Sequence, residues 1–401
     1  MRPAVDAPVD VLIVGGGLAG LALAVALRQS RLSIALVEGR VPHLQPCTNE
    51  RWDARVYAIS PSNARFLEAI GIWQHLDPPH EPTRITPIER MQVFGDTDGR
   101  IEFSAYDSHV SELGWIVESS LLQRELWETA RRQGNLTLLC PARPQMLEIL
   151  DSPTQGAELQ LDDGRTLKAR LVVAADGADS WTRQAAGIDV QFQPYEQMGV
   201  VANFSCHQPH HGTATQWFRR DGVLAWLPLP GNRISMVWST AERHARELLT
   251  LPPELLCQRV AAAGQSQLGE LSLLTPPAAF PLRLMRAPKL VAPRLALIGD
   301  AAHTIHPLSG HGINLGFKDA QSLATTLIEA PNHIDCGDLR LLRAYERSRS
   351  EEIIALQSAT HALQRLFQPD AAPLAWLRNT GLNLTNALPV IKQGLVRYAL
   401  G

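Results

Sequence analysis

Apolar runs of strand length recur along the chain, and several of them end at an acidic residue. VDVLIV, Val9–Val14, leads into GGGLAG, and SIALVE closes at Glu38. RLVVAADG carries Asp176, and LALIGD closes at Asp300. Continuous apolar runs of this length are typical of buried parallel strands. Because ligands of an open parallel sheet lie beyond the carboxyl ends of its strands, we expect the three acids to face one crevice.

The first apolar run is followed by a glycine signature and then by apolar residues at helical spacing. G-x-G-x-x-G between a strand and a helix permits a tight turn and lets a pyrophosphate approach the backbone, with helix N–H groups facing its charge. A plain glycine turn with a surface glutamate is the alternative. The segment predicts a dinucleotide site, of NAD or FAD, with contacts from Gly15, Gly17, Leu18, Ala19, Gly20 and Glu38.

LIGDAAHTIHPLSGHGINLG, residues 297–316, decides between the two dinucleotides. An acid at this strand end would bind the hydroxyls of a ribityl chain, which a flavin has and a nicotinamide dinucleotide lacks. Glycines then let the backbone pass a flat ring, and a helix opening at 312–314 directs N–H groups at the ring. A helix start capped by Asn314 is the alternative. The predicted flavin contacts are Gly299, Asp300, Pro307, Gly310, Gly312, Ile313 and Asn314, with Pro307 over the ring face where oxygen is transferred.

Three histidines, His303, His306 and His311, lie in the same segment. Their spacing fits no single helix face, and no cysteine or carboxylate partner is evident nearby. We interpret them as loop-packing residues rather than metal ligands.

Alternating and β-branched runs, such as VVANFSC and RISMVWS, predict an antiparallel sheet inserted into the dinucleotide-binding unit. The predicted fold is therefore α/β, with a Rossmann-like FAD-binding domain, an inserted antiparallel-sheet substrate domain and a C-terminal helical segment. The predicted bounds are 1–82, 118–188 and 281–345 for the first, 83–117 and 189–280 for the second, and 346–401 for the third. Trp217, Trp226 and Trp238 are expected to line an apolar substrate pocket, with ordinary sheet core as the alternative.

Composition narrows the function classes. The 401 residues are 45% hydrophobic and 19% charged, as expected of a globular protein with a substantial core, and a net charge of −3 gives no reason to bind nucleic acid. The five cysteines are scattered, which favours a reducing, cytoplasmic compartment over a disulfide framework. We expect neither a signal peptide nor a spanning helix.

The C-terminal tail has no acidic residue after Asp370 but keeps Arg378, Lys392 and Arg397 among many apolar residues. This pattern predicts either a basic amphipathic segment that contacts a membrane or a biosynthetic complex, or a helical cap or homo-oligomer surface.

Together the motifs resemble those of the class A flavin monooxygenases, the family of para-hydroxybenzoate hydroxylase. GGGLAG, ADGADSWTR and GDAAHTIHPLSGHGINLG stand in the family's order. DARVYAISPSNARFLEAIGIW and LAWLPLPGNRISMVWS are similar, more narrowly, to segments of the ubiquinone-biosynthesis ring hydroxylases. The resemblance implies that Arg55 contacts the flavin and that Asp176 serves both FAD and NAD(P)H. It assigns no flavin contact to Ser119, Gln123 or Arg124, because several relatives carry Arg or Gln at the position of Ser119.

The resemblance also implies a reaction. NADH or NADPH would reduce FAD, O2 would add to give a C4a-hydroperoxyflavin, and OH would pass to the ring of a prenylated phenol, with the protein peripheral to the inner face of a membrane. No residue is singled out as a general base. The alternatives are hydroxylation of another aromatic compound and a flavin-bound scaffold subunit. A halogenase is disfavoured because AWLPLP lacks the first Trp and the Ile of W-x-W-x-I-P.

Overall fold

The structure is a computed structural model. It describes residues 8–42, 51–78, 83–150, 156–305, 312–367, 372–388, 392 and 394. Its strands form three sheets, and most of its helices pack on the first two.

The first sheet is built on a parallel core in the order β18-β19-β11-β1-β2-β8, with β10 paired to β11 and β9 to β10. β1 pairs in parallel with β11 and β2, and β11 with β19. Its apolar runs are buried on both faces, as the continuous hydrophobic pattern predicts. The strands are β1 Val9–Val14, β2 Ile34–Val37, β8 Leu136–Leu139, β9 Pro144–Ile149, β10 Ala157–Leu161, β11 Thr166–Ala174, β18 Val291–Ala292 and β19 Leu295–Leu297.

Helices cover this sheet and carry its ligand-facing ends. α1 is buried along almost its whole length because it packs between the sheet, α4 and α8. A 3-10 turn, Gly299–Ala301, follows β19. The helices of this part are α1 Leu18–Ala26, α2 Pro61–Ala69, α3 Trp73–Leu76, α4 Ser119–Arg131, α5 Trp181–Ala185, α8 Gly312–Ile328 and α9 Leu339–Phe367.

The second sheet runs in the order β20-β17-β12-β15-β14-β13-β5-β6, with β16 paired to β12. Its pairs are antiparallel except β13 with β5. Two helices, α6 Glu242–Thr250 and α7 Pro253–Ala263, cover one face of it. The strands are β5 Arg90–Phe94, β6 Arg100–Ser104, β12 Gln191–Cys206, β13 Thr213–Arg219, β14 Gly222–Leu229, β15 Arg233–Ala241, β16 Leu271–Leu273, β17 Ala278–Arg286 and β20 His303–Thr304.

A three-stranded sheet joins the two larger ones, in the order β3 Val56–Ile59, β7 Gly114–Glu118 and β4 Thr86–Ile88. The last described helix is α10, Ala372–Ala387. The parallel sheet, the antiparallel sheet and the helical C-terminal part confirm the predicted fold class. Within the ranges given above, no helix is both long and apolar enough to cross a bilayer.

The predicted domain bounds remain predictions, and three of them fall inside an element. The bound at 117/118 lies in β7, the bound at 280/281 lies in β17, and the bound at 345/346 lies in α9. Hydrophobic patterning cannot locate such a bound, because the period does not change within a single strand or helix.

Candidate functional site

The first glycine loop requires glycine at two positions. Gly15 has φ of +111°, and a Cβ there would lie 2.4 Å from the carbonyl oxygen of Ala175. A Cβ on Gly20 would lie 2.1 Å from the carbonyl oxygen of Gly15, so α1 can approach the loop only with glycine at this position. Gly17 is the N-cap of α1, and the space in front of it is open. The unpaired N–H groups of Leu18 and the following turn can therefore receive an anionic ligand.

Glu38 stands beside this loop and shapes a cleft. Its Oε2 accepts a hydrogen bond from the Gly16 N–H at 2.7 Å, and its Oε1 accepts one from the Arg40 N–H at 2.9 Å. Each carboxylate oxygen keeps a lone pair for a ribose hydroxyl. The cleft has a volume of about 300 Å³. It is lined by Gly16, Gly17, Glu38, Arg40, Val41, Pro42, Asp53, Ser119, Ser120 and Gln123.

The segment before β3 carries Arg55 and contributes Asp53 to the lining of this cleft. Asp53 accepts hydrogen bonds from the N–H groups of Arg55 and Ser120, both at 2.9 Å. Its own N–H donates to Oε1 of Glu118 at 2.6 Å, and its carbonyl accepts from Nδ2 of Asn203 at 2.8 Å. The segment is thus fixed to β7, α4 and the second sheet at once. Asp53, Glu118 and Asn203 were not predicted as site residues, although Asp53 stands only two positions before Arg55.

Arg55 and Tyr57, at the start of β3, lie near Asp300, which is remote in sequence. The Arg55 guanidinium lies 5.3 Å from the centre of the Tyr57 ring. Burial raises the pKa of the Tyr57 hydroxyl, while the charge of Arg55 and a hydrogen bond with Ser119 act against this rise. The negative charge of Asp300 adds to the rise in the pKa of Tyr57. Since Ser119 also lines the cleft beside Glu38, this corner is continuous with the dinucleotide end.

Asp300 is open to solvent and at the same time enclosed by protein. Its side chain is exposed, yet burial raises the pKa of its carboxyl, and the positive charges of His303 and Arg55 lower it. Both observations hold for a group on the wall of a cleft, where water can enter but protein surrounds the opening. The placement is the one expected for a carboxylate that binds hydroxyls of an extended ligand.

Asp176 is engaged within its own loop. One carboxylate oxygen accepts from the Ser180 hydroxyl, and the other accepts from the N–H and hydroxyl of Thr182, both at 2.9 Å. Arg183, a few residues later, connects this loop to the 3-10 turn after β19, because its guanidinium donates to the carbonyl oxygen of Ala301 at 2.9 Å. The predicted contact of Asp176 with FAD or NAD(P)H stays a prediction; its observed role is to organise the start of α5.

The start of α8 is fixed by Asn314. Its Oδ1 accepts from the Ser60 N–H at 2.9 Å and from Asn63 Nδ2 at 3.1 Å, and its Nδ2 donates to the Ala58 carbonyl at 2.7 Å. The side chain is buried, so it holds α8 against β3 and α2. Gly312 faces open space, and Ile313 packs against the hydrophobic core around the first sheet. A Cβ added at Gly299 would lie 3.1 Å from the Cβ of Ala19 on α1. Pro307 and Gly310, like His306 and His311, lie outside the described residues.

The three tryptophans predicted to line a substrate pocket lie elsewhere. Trp217, Trp226 and Trp238 are 2%, 2% and 0% exposed and belong to the core between the second sheet and α6 and α7. Trp226 packs so closely on α7 that a Cβ at Gly264 would lie 2.1 Å from its ring. The pocket assignment is therefore corrected: these side chains point away from Arg55 and Asp300. Strand alternation predicts that the three tryptophans share one face of the sheet. It does not predict whether a ligand or a helix covers that face.

The family of the chain follows from comparison with known proteins. The model of the FAD binding domain family matches residues 8–359. The 3-demethoxyubiquinol 3-hydroxylase of Escherichia coli K12 is 32% identical over 398 residues, covering 98% of this chain and 99% of that protein. The ubiquinone hydroxylase UbiL of Rhodospirillum rubrum is 34% identical over 397 residues, covering 99% and 90%.

The fold is also found among solved structures. The crystal structure of p-nitrophenol 4-monooxygenase PnpA from Pseudomonas putida DLL-E4 superposes with a TM-score of 0.77 and covers 98% of both chains. At 16% identity this likeness concerns the fold alone. The shared fold combines a parallel, Rossmann-like sheet with an antiparallel sheet.

Proposed function

This chain belongs to the class A FAD-dependent monooxygenases, and from that premise we propose that it hydroxylates the aromatic ring of a prenylated phenol in ubiquinone biosynthesis. The observation that carries the cofactor end of the proposal is that Arg55, Tyr57 and Asp300 lie near one another and next to Ser119, which lines the cleft shaped by Glu38 and the first glycine loop. The substrate class is supported by two full-length relatives whose names place them in ubiquinone chemistry.

The residues present fit FAD along its length. Gly17 and the start of α1 offer N–H groups to the pyrophosphate, and Glu38 offers carboxylate oxygens to the adenosine ribose. Asp300 would accept from the ribityl hydroxyls, while Arg55 and the start of α8 at Gly312 would flank the flavin ring. When bound, FAD supplies the electron transfer to O2 and the oxygen transfer to the substrate, and NADH or NADPH is the proposed transient reductant.

We place the substrate on the face of the second sheet that the tryptophans do not occupy. Along β15, Met236 and Trp238 point toward α6 and α7, so Ser235 and Val237 point to the opposite face. Asn203 shares that opposite face on β12 and donates to the segment that carries Arg55. An aromatic ring bound here would lie between the sheet and the flavin, where the surrounding protein excludes water from the reacting atoms.

The protein would meet a substrate of this kind at the cytoplasmic face of a membrane. Each buried CH2 of a lipid chain contributes about 0.8 kcal/mol to bilayer partitioning, so a prenyl chain holds the phenol there. Within the described ranges, the protein offers no spanning helix for this contact. A peripheral contact, which transfers only the head group into the site, is the mode we propose.

The lipid extract of cells lacking this protein tests the substrate class. We expect ubiquinone to be lost and a prenylated phenol one hydroxyl short to accumulate, as measured by mass spectrometry. The other ring hydroxylases stay in place, and the strain lacking this protein is complemented by the wild-type chain or by a variant that does not bind FAD. Restoration of ubiquinone by neither chain would contradict the proposal and would favour hydroxylation of another aromatic compound.

A further inference from the structure

The turn that carries Asp300 is held on both sides by side chains from other parts of the chain. Asp300 itself is exposed, and no hydrogen bond within the described ranges involves its carboxylate. Its neighbours differ, because buried side chains bind the peptide groups before and after it, directly or through one further residue. Three of these side chains, Tyr345, Arg349 and Gln357, belong to α9 and lie on its buried side.

The first contacts hold the start of the turn. The Tyr345 hydroxyl donates to the carbonyl oxygen of Leu297, at the end of β19, at 2.7 Å. Nε of Arg349 donates to Oδ1 of Asp319 on α8 at 2.8 Å, and the other Asp319 oxygen accepts from the Gly299 N–H at 2.9 Å. Tyr345 and Asp319 are fully buried, so their hydrogen bonds are stronger than they would be in water. The turn is therefore bound to two helices one residue before the cofactor carboxylate.

Gln357 holds the other side of the turn. Its Nε2 donates to the carbonyl oxygens of Met285 on β17 and Thr304 on β20, at 2.9 and 3.0 Å. These two residues face each other in the antiparallel ladder, so one amide group binds both strands at the point where β20 ends. Gln357 is 4% exposed. Without its side chain, both carbonyl oxygens would lose a donor inside the protein.

The turn needs such contacts because its own backbone is free to move. Gly299 has φ of +59°, and its carbonyl accepts from the Ala302 N–H at 2.9 Å. Glycine loses more conformational freedom on ordering than any other residue, so local interactions hold this turn only weakly. Arg183 of α5 supplies a further contact, since it donates to the Ala301 carbonyl at 2.9 Å.

We propose that Tyr345 and Gln357 are positioning residues for the cofactor: they hold the backbone on either side of Asp300 in the conformation that binds FAD. The inference rests on the proposed binding of FAD through Asp300. It goes further by assigning a task to α9, a helix that contributes no residue to the proposed contacts with FAD.

The proposal predicts how strongly each contact affects binding. When the turn takes several conformations, only the fraction with Asp300 correctly placed binds FAD, and the apparent affinity falls by that fraction. A hydrogen bond between neutral groups changes an equilibrium constant by about two- to tenfold. Removing the Gln357 amide deletes two such bonds, and removing the Tyr345 hydroxyl deletes one. The first change should therefore weaken FAD binding more than the second.

The experiment is a titration of the apoprotein with FAD, followed by quenching of flavin fluorescence. Gln357→Met and Tyr345→Phe remove the donors and keep the size of the side chains. The matched control is Thr360→Val, because Thr360 is buried on the same helix and its hydroxyl donates to carbonyl oxygens of α9 itself. We expect FAD to bind about tenfold more weakly to Gln357→Met and about threefold more weakly to Tyr345→Phe. The control should stay within about twofold of the wild type.

Amide hydrogen exchange of the apoprotein separates positioning from a general loss of stability. Peptides that cover residues 297–305 should exchange about tenfold faster in Gln357→Met than in the wild type, whereas peptides of α1 should exchange at the same rate. Faster exchange at 297–305 with unchanged FAD affinity would show that α9 only stabilises the fold, and would overturn the proposal. Equal losses of affinity in Gln357→Met and Thr360→Val would overturn it as well.

Tyr345→Phe decides the question if Gln357→Met does not fold, since it removes a single oxygen atom. A folded Tyr345→Phe protein with the FAD affinity of the wild type would then overturn the proposal. Failure of the wild type itself to bind FAD would instead contradict the proposed function.

Discussion

At the scale of single residues, the site depends on backbone groups held by buried side chains. Asp53 receives two N–H groups and is itself held by Glu118, which pairs with Arg84 at 2.5 Å. Arg84 in turn lies 4.0 Å from the centre of the Trp52 ring. Burial raises the pKa of the Glu118 carboxyl, against the effect of Arg84 and the Asp53 N–H. The orientation of Arg55 therefore depends on neighbours that make no contact with a ligand.

Gly20→Ala tests the glycine loop. Although alanine is the better helix former, its Cβ would collide with the Gly15 carbonyl, a backbone atom that cannot move away. We expect a loss of about 1–3 kcal/mol in the free energy of unfolding, measured by urea denaturation of the apoprotein. Gly134→Ala is the matched control, since nothing lies within 4 Å of its Cβ position, and its change should stay within about 0.5 kcal/mol. Equal stability of the two variants would contradict the described packing of α1.

Asp300→Ala tests the cofactor carboxylate. A hydrogen bond to a charged group contributes about 1.5–3 kcal/mol, so the loss of two such bonds should weaken FAD binding on the order of 100-fold or more. The variant should purify without yellow colour, and fluorescence titration gives its affinity. Asp189→Ala is the control: it removes an exposed acid that is remote in sequence from Asp300 and should bind FAD normally. A fully flavinated, active Asp300→Ala protein would contradict the assignment.

At the scale of elements, α10 covers the edge of the second sheet with a row of asparagines. Asn379, Asn383 and Asn386 lie on one face of the helix at spacings of four and three residues. Their Oδ1 atoms accept from the N–H groups of Gly99 at 3.0 Å, Arg100 at 2.9 Å and Glu102 at 3.2 Å. These contacts satisfy outward N–H groups at and beside edge strand β6, and so block pairing with another chain.

The contacts of α10 also change the interpretation of the basic tail. Arg378 is 5% exposed, and its guanidinium binds Asp96. Its charge is therefore neutralised inside the protein and does not serve a membrane surface. Arg397 lies outside the described residues, and membrane contact through the last residues stays a prediction. The asparagine spacing is visible in the sequence, but nothing in it shows that a distant strand needs acceptors.

Asp96→Ala tests the docking of α10. Removing one partner of a buried ion pair leaves the other charge unpaired and costs about 3–5 kcal/mol. We expect residues 97–104 and α10 to exchange their amide hydrogens at least about 100-fold faster, as measured by mass spectrometry of peptides. Thr380→Ala, on an exposed position of the same helix, should leave the exchange unchanged. Unaltered protection of β6 in Asp96→Ala would contradict the docked arrangement.

At the scale of the whole molecule, the features that the sequence predicts correctly are those that depend on nearby residues. The glycine loop, the acids at strand ends and the alternation of the inserted sheet each depend on neighbours within a few residues. The parallel sheet and the fold class were predicted correctly on that basis. The sheet face that holds the tryptophans was not, because it depends on where α6 and α7 pack. Asp319 was also missed, although an acid on the apolar face of α8, beside Leu315 and Ala320, is a signal of a buried polar site.

The most direct test of the proposed reaction is the incorporation of oxygen by the purified, FAD-loaded protein. The protein is given NADH or NADPH, a prenylated phenol and ¹⁸O2, and the product is weighed by mass spectrometry. We predict a hydroxylated ring that carries one ¹⁸O atom, formed only with FAD, reductant and substrate together. Oxidation of the nicotinamide with no labelled product from any prenylated phenol tested would contradict the proposed function.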